Sequence, residues 1–195
     1  MSTFQESGLR FDFDNYWTVR KYDTHRFFQG FSGVGLKGVD FIAVREATLI
    51  LLEVKNYCKR QPWQLENPFE RISEAPEVFA RRIAEKYLDT LQALRAIGTY
   101  YRRKWGFRLL HPLLLHWPGT RSDWAFWAQV DAYLQSGQPV VAVLWLETEQ
   151  EQAAFREVLQ QSLETLLEGK VKAVQIRNLK TKPYPDGIRV SLAAE

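Results

Sequence analysis

Two acidic residues and a lysine stand where short apolar segments of this chain begin or end. Asp40 opens one such segment, and Glu53 and Lys55 close the next. Because successive residues of a strand point to opposite faces of a sheet, Glu53 and Lys55 share a face and Val54 takes the other. Charged side chains at the end of an apolar strand are costly to bury unless they are paired, hydrated or bound to a metal. We therefore expect a local partner for these charges.

The polar stretch 45–48 between the two segments predicts a hairpin. The hairpin would bring Asp40 beside the strand end that carries Glu53 and Lys55. Carboxylate oxygens of Asp40 and Glu53, with the backbone carbonyl of Val54 and several waters, suit Mg²⁺ or Mn²⁺, which take oxygen ligands in octahedral geometry. Such a metal lowers the pKa of a bound water and clamps phosphate oxygens, while Lys55 orients the water or stabilises negative charge. The pattern predicts phosphodiester hydrolysis.

The same residues resemble the motif of the PD-(D/E)xK nuclease superfamily, which has an Asp at the start of one strand and Asp/Glu-x-Lys on the next. Asp40 matches the motif Asp, Glu53 matches the variable acid, and Lys55 matches the lysine. Val39 stands where the motif name has a proline. Many members carry a further acid on the first helix. Four acidic residues compete for that role in this chain: Glu6, Asp12, Asp14 and Asp23.

The resemblance implies an α/β fold with a restriction-endonuclease-like core, in which helices flank a mixed central sheet in the order α-β-β-β-α-β. It also implies a metal-dependent nuclease that acts on DNA. The chain of 195 residues has no linker-like segment, so we expect one domain over 1–195. The motif core would span about 1–120, and 121–195 would add further helices and strands.

The composition is that of an ordinary globular protein, with 46% hydrophobic and 25% charged residues. No apolar run is long enough to cross a bilayer and the polar N-terminus lacks a signal-peptide pattern, so a cytoplasmic location is expected. The single cysteine, Cys58, excludes an internal disulfide and a cysteine-rich zinc site. His111 and His116 have no third ligand at suitable spacing, which favours packing or surface roles over zinc binding.

The net charge is only +3, but its distribution is uneven. Residues 1–110 hold 18 Lys and Arg against 13 Asp and Glu, whereas the remainder holds 8 against 10. A positive excess around the candidate site suits a face that meets phosphates, although a solvated surface gives the same excess. Lys59 and Arg60, in the polar segment after Lys55, are candidate DNA contacts, with ordinary surface cations as the alternative.

Hydrophobic periodicity predicts the elements that position these residues. A helix is predicted from Glu77 to Lys104, because its apolar positions recur at spacings of three and four. On this helix, Lys86 or Gln92 could reach the candidate site. Strands and helices alternate in the second half, which predicts parallel pairing there and an antiparallel meander in the first half. The other predicted elements are strands at 16–22, 107–117, 139–146 and 170–177 and helices at 123–135 and 148–168.

Two further segments invite a functional interpretation, but their sequences favour a structural one. The glycine-rich segment 30–38 lacks the Lys-Ser/Thr ending of a phosphate-binding loop and precedes a strand, so it predicts a turn that leads into Asp40. The tryptophans between Trp117 and Trp127 could stack on unpaired bases. At their spacing, however, aromatic residues are more often part of a core.

Two other functions fit the same residues. A non-catalytic protein of the nuclease fold could bind nucleic acid or a protein partner, although converging carboxylates repel phosphate when no metal is present. An unrelated α/β protein could use Glu53 and Lys55 as a structural ion pair. A homodimer is a further expectation by analogy, because cutting both strands of DNA often needs two sites.

Overall fold

The computed structural model describes residues 1–33, 35–45, 48–58, 67–119, 122–149, 152–181, 184 and 187–193. Lys59 and Arg60, the predicted DNA contacts, lie outside the described residues. The strands are β1 (Ser2–Glu6), β2 (Leu9–Phe13), β3 (Thr18–Lys21), β4 (Phe41–Arg45), β5 (Thr48–Asn56), β6 (Val140–Glu147), β7 (Ala173–Arg177) and β8 (Ile188–Leu192). The helices are α1 (Arg26–Ser32), α2 (Glu70–Ser73), α3 (Pro76–Arg102), α4 (Trp105–His116), α5 (Asp123–Gln135) and α6 (Ala153–Leu166).

Five strands form a mixed sheet in the order β3-β4-β5-β6-β7. Strands β3, β4 and β5 pair antiparallel, whereas β5, β6 and β7 pair parallel. Helices α3, α5 and α6 pack their apolar sides on one face of this sheet. The structure therefore confirms an α/β protein with a mixed central sheet flanked by helices. Within this sheet the predicted change from antiparallel to parallel pairing is confirmed, whereas β8, also in the second half of the chain, pairs antiparallel with β2.

The side chains of β5 alternate between two separate cores. Leu51 belongs to the core beneath the helices, whereas Leu52 and Val54 belong to the core on the opposite face. Glu53 and Lys55 continue the row of Leu51, because residues two apart in a strand share a face. The predicted separation of Val54 from the two charged residues is thus confirmed, and the charges lie on the helix side.

A second sheet covers the other face of the main sheet. Its three strands pair antiparallel in the order β1-β2-β8. Aromatic rings fill the space between the two sheets: the ring centroid of Phe11 lies 5.6 Å from that of Phe41 and 5.7 Å from that of Trp145. This sheet was not predicted. The two-residue turn Ser7-Gly8 between β1 and β2 is a local hairpin signal, whereas the pairing of β2 with β8 from the far end of the chain has none. The sheet matters for function because it places Glu6, the last residue of β1.

The segment 107–117 was predicted as a strand, but residues 107–116 belong to helix α4 and Trp117 is its C-cap. Among the residues of α4 only Phe107 and Leu114 are buried, and their separation of seven residues corresponds to two helical turns. The prediction was wrong because it treated the leucine run as a buried strand and Pro112 as an edge marker. In the structure most of these leucines face solvent, and Pro112 lies inside the helix on an exposed position.

The remaining predicted elements are present with shifted bounds. Helix α3 begins with Pro76. Proline is favoured in a first turn because it has no backbone N–H, and an N–H at that position would have no acceptor within the helix. Helix α5 begins as predicted, with the Ser122 hydroxyl accepting a hydrogen bond from the Ala125 N–H. The helix predicted at 148–168 is shorter and spans α6. In the described part of the chain, none of the helices combines the length and apolarity that a bilayer crossing requires.

Helices α3 and α5 approach closely at a glycine. Asp131 of α5 is buried and accepts hydrogen bonds from Arg102 and from Gln135. Its carboxylate occupies the space that a Cβ atom on Gly98 of α3 would fill. Gly98 therefore lets the buried Asp131 carboxylate lie directly against the helix backbone.

We expect the Gly98→Ala substitution to lower the free energy of unfolding by roughly 1–3 kcal/mol, because the added methyl displaces the Asp131 carboxylate. The matched control is Gly106→Ala in α4, where the nearest atom, a ring carbon of Trp124, is 3.9 Å from the added carbon. That variant should be at least as stable as the wild type, because Ala is the better helix former. Urea unfolding measures both, and equal stabilities would contradict the packing argument.

Candidate functional site

Asp40, Glu53 and Lys55 come together at the adjoining ends of β4 and β5. In the hairpin Phe41 pairs with Leu52, so Asp40 lies opposite Glu53. The Asp40 Oδ2 accepts a hydrogen bond from the Val54 N–H at 2.6 Å, and Lys55 Nζ lies 2.5 Å from Glu53 Oε1. Asp40 is buried, and Glu53 is completely inaccessible to solvent. The structure thus assembles the three residues that the spacing selected.

Helix α3 adds a second lysine to Glu53. Lys86 Nζ donates to Glu53 Oε1 at 2.6 Å, on the same oxygen that Lys55 contacts. One turn further, the hydroxyl of Thr90 accepts the Val39 N–H at 3.1 Å, which ties α3 to the residues just before Asp40. Of the two helix residues considered from sequence, Lys86 reaches the site and Gln92 is exposed.

Two of the four candidate acids join Asp40. Carboxylate oxygens of Glu6, Asp23 and Asp40 all lie within 4.8 Å of one another. We call these three residues the acidic cluster. Glu6 reaches it from the end of β1, and Asp23 from the turn after β3, so neither lies on the first helix, where the resemblance implies the further acid. In the described part of the chain, no other group of three or more acids, histidines or cysteines lies this close.

The other two candidate acids have separate structural roles. Asp12 accepts a hydrogen bond from Thr3 and forms an ion pair with Arg10 at 3.1 Å. Asp14 accepts the Tyr16 N–H at 2.9 Å and thereby closes a turn. The sequence could not separate these acids from Glu6 and Asp23, because the choice depends on how the second sheet packs.

Lysines counter part of the negative charge in this region. Lys21 Nζ lies 2.7 Å from Glu6 Oε2, and the hydrogen bond and charge of Glu6 raise the pKa of Lys21. Burial alone would lower the pKa of Lys55, but the charge of Glu53 outweighs it and the pKa is raised. Lys55 is therefore a permanent cation at neutral pH and cannot act as a base.

The pKa values of the carboxyl groups in the site shift in opposite directions. Burial, reinforced by the charge of Glu53, raises the pKa of Asp40 to about 7. Burial also raises the pKa of Asp23. For Glu6 burial acts in the same sense, but hydrogen bonding to Lys21 outweighs it and lowers the pKa. Asp40 thus lies where additional positive charge would favour its ionised form.

Two buried carboxylate oxygens have no hydrogen-bond donor among the described residues. They are Glu53 Oε2 and Asp23 Oδ1. An unpaired buried oxygen costs about 1–3 kcal/mol, and a bound ion is one way to satisfy it. Hard oxygen donors of this kind fit Mg²⁺ or Mn²⁺. The predicted ligand Val54 O, by contrast, accepts a hydrogen bond from Lys55 Nζ at 3.1 Å, and Glu53 stands outside the acidic cluster.

The residues expected to have structural roles are placed accordingly. His116 is exposed and its Nδ1 bonds to Pro112 O, while His111 packs on Phe107 with 5.6 Å between ring centroids. Of the tryptophans predicted to lie in the core, Trp127 is buried there, but Trp117 is half exposed, so the prediction is wrong for Trp117. Burial raises the pKa of the Cys58 thiol, which makes it a poor nucleophile.

The elevated pKa of Asp40 predicts a pH-dependent stability. The folded protein binds the proton more tightly than the unfolded chain, whose pKa is near 3.8, so stability falls as the pH rises from about 4 to above 7. Asp40→Asn keeps the shape and the acceptor for Val54 N–H. In EDTA it should be more stable than the wild type at pH 8, by on the order of 2–4 kcal/mol, and lose this advantage near pH 4. Urea unfolding at both pH values tests this, and a pH-independent difference would contradict it.

Comparison of the chain with family models, with curated proteins and with solved structures returns no match. Its function must therefore be inferred from the side chains of the site and their surroundings.

Proposed function

We propose that this protein is a metal-dependent nuclease of the PD-(D/E)xK kind, built on a restriction-endonuclease-like core, that hydrolyses phosphodiester bonds of DNA. The observation that carries the proposal is the convergence of the acidic cluster on Asp40, directly beside the Glu53–Lys55 pair. Carboxylates gathered at this density repel one another unless one of them is protonated or a cation is shared among them. The ammonium group of Lys55 lies next to them and would stabilise the negative charge that develops on the phosphate during hydrolysis.

The chain offers enough oxygen donors for a divalent metal. Asp40 and Glu53 are the ligands that the motif implies, and the structure supports Glu6 and Asp23 as the additional acids. When bound, Mg²⁺ or Mn²⁺ would polarise a phosphate oxygen and lower the pKa of a coordinated water. The buried oxygens Glu53 Oε2 and Asp23 Oδ1, which have no hydrogen-bond donor among the described residues, support a metal site independently of the motif.

The protein's own residues supply orientation and charge. Lys55 is held by Glu53, so its ammonium group has a fixed position from which to stabilise negative charge on a phosphate. Lys86 fixes Glu53 from the helix side. The Val54 N–H fixes Asp40 Oδ2. Because Glu53 is completely buried, these charges interact more strongly than they would in water.

Two exposed arginines lie on α3 near Lys86, and the half-exposed Glu85 of the same helix is close to both. Arg82 is exposed one helical turn before Lys86, and Arg81 is exposed beside it. Exposed arginines form bidentate hydrogen bonds with phosphate oxygens. Their position supports a nucleic-acid substrate, whose backbone would lie across this turn of α3.

A second candidate function is a non-catalytic protein of the same fold that binds nucleic acid or a protein partner. One observation favours it: Lys55 and Lys86 both contact Glu53 Oε1, so that carboxylate is already neutralised by the protein. A purely structural ion pair would have this appearance. Metal binding and catalysis separate the two candidates.

Cleavage of DNA tests the nuclease proposal. We expect the wild type to cut plasmid or single-stranded DNA with Mg²⁺ or Mn²⁺, and Lys55→Ala to lose roughly 10²–10³-fold in rate because the cation at the phosphate is gone. The matched control is Lys170→Ala, an exposed lysine outside the site, which should cut at the wild-type rate. Absence of cleavage with either metal, or equal rates for wild type and Lys55→Ala, would refute the proposal.

Calorimetric titration with Mn²⁺ at pH 8 tests the ligands without any substrate. We expect Asp40→Asn to abolish binding and Glu6→Gln to weaken it roughly tenfold or more, because each removes a carboxylate from the acidic cluster. Asp12→Asn removes the same charge outside the cluster and should bind like the wild type. The assignment fails if Asp40→Asn still binds, or if Asp12→Asn weakens binding as much as Glu6→Gln.

A further inference from the structure

Helix α4 presents an apolar ridge to solvent. Trp105, Leu109, Leu113 and Trp117 follow one another at spacings of four residues and are 80%, 71%, 58% and 49% exposed. Trp105, Leu109 and Leu113 lie above one another on the helix and form one row, and Trp117 follows as the C-cap residue just outside α4. Leu110 widens the row and is 41% exposed. We refer to these five residues as the α4 ridge.

The size of the α4 ridge is unusual for a surface with no partner. Two tryptophans and three leucines exposed to this degree present on the order of 600 Å² of apolar surface, given that a whole aromatic side chain buries about 150–250 Å². Monomeric proteins rarely expose more than a few hundred Å² in one patch. A standard protein–protein interface buries about 800 Å² on each partner, so the ridge with its rim is of the right size for one.

The order of side chains along the ridge favours a second copy of this chain as the partner. Read from either end, the row is Trp, Leu, Leu, Trp. A twofold axis across the middle of the helix would place Trp105 against Trp117 of the second copy and Leu109 against Leu113. Such self-complementarity is what an isologous interface requires. Rows at spacing four also interdigitate in the commonest class of helix packing, with axes crossing at about −50°.

The charges of α4 suit the same antiparallel arrangement. Lys104 and Arg108 lie at its beginning and are exposed, and α4 itself contains no acidic residue. In an antiparallel pair these cations would lie near the C-terminal end of the other α4, where the helix carries partial negative charge. A parallel pair would instead bring the cations of both copies together.

We propose that two copies of this chain associate through the α4 ridge as an antiparallel, twofold-symmetric dimer. The proposal rests on the exposed face of α4 and not on the nuclease assignment. Its alternatives are an anionic membrane surface, which basic amphipathic helices also bind, and a different protein.

Sedimentation velocity across a wide range of protein concentration measures the association. We expect the wild type to sediment at twice the 22.8 kDa chain mass and the Leu109→Glu, Leu113→Glu double variant to sediment as a monomer with unchanged circular dichroism. The control is Leu192→Glu on β8, an equally exposed leucine that should leave the dimer intact. A monomeric wild type, or a dimer that survives the double variant, would overturn the proposal. Binding of a monomeric wild type to phosphatidylserine vesicles would overturn it in favour of a membrane surface.

Disulfide trapping tests the antiparallel geometry. In a Cys58→Ser background, Leu109→Cys and Leu113→Cys are made on separately tagged copies and mixed under mild oxidation. The arrangement predicts that 109–113 cross-links between copies form in preference to 109–109 cross-links. Predominance of 109–109 cross-links would overturn the antiparallel dimer.

Discussion

The buried carboxylate of Glu53 is the constraint on which the rest of the structure depends. An isolated charge at the end of a strand with apolar neighbours would cost several kcal/mol or more, so the fold must supply positive partners. Lys55 lies on the same strand and on the same face as Glu53, because residues two apart in a strand share a face, so this pairing needs no other element of the fold. Lys86 comes from α3 and requires that helix to lie over the sheet with one particular rotation. The position of α3 is therefore coupled to the charge of the site.

The second sheet completes the site from the opposite direction. Glu6 belongs to β1, which is held by β2, and β2 is held in turn by β8 from the far end of the chain. The aromatic core between the sheets fixes this assembly relative to the main sheet. The acidic cluster thus forms only when segments distant in sequence have packed.

The features that were predicted correctly depend on interactions between residues close together in the sequence. Alternation in β5 and the short polar connection were enough to bring Asp40, Glu53 and Lys55 together. Apolar spacing was enough for α3. The choice of Glu6 depended on how the second sheet packs against the main sheet, and the choice of Asp23 depended on the turn that follows β3. The sequence has a local signal for the β1–β2 hairpin but none for this packing. Helix α4 was misassigned because an apolar run in a sequence is expected to be buried, and the leucines of α4 are exposed. The rotation of α3, and hence Lys86, was set by packing.

If these carboxylates form a divalent-metal site, a crystal of the wild type soaked with Mn²⁺ at pH 8 should show it by anomalous diffraction. We expect one strong anomalous peak at the Asp40 carboxylate, bounded by Glu53 or by Glu6 and Asp23. Absence of a peak there at saturating Mn²⁺, with Lys55 and Lys86 still on Glu53, would show instead that the residues form a structural ion-pair cluster.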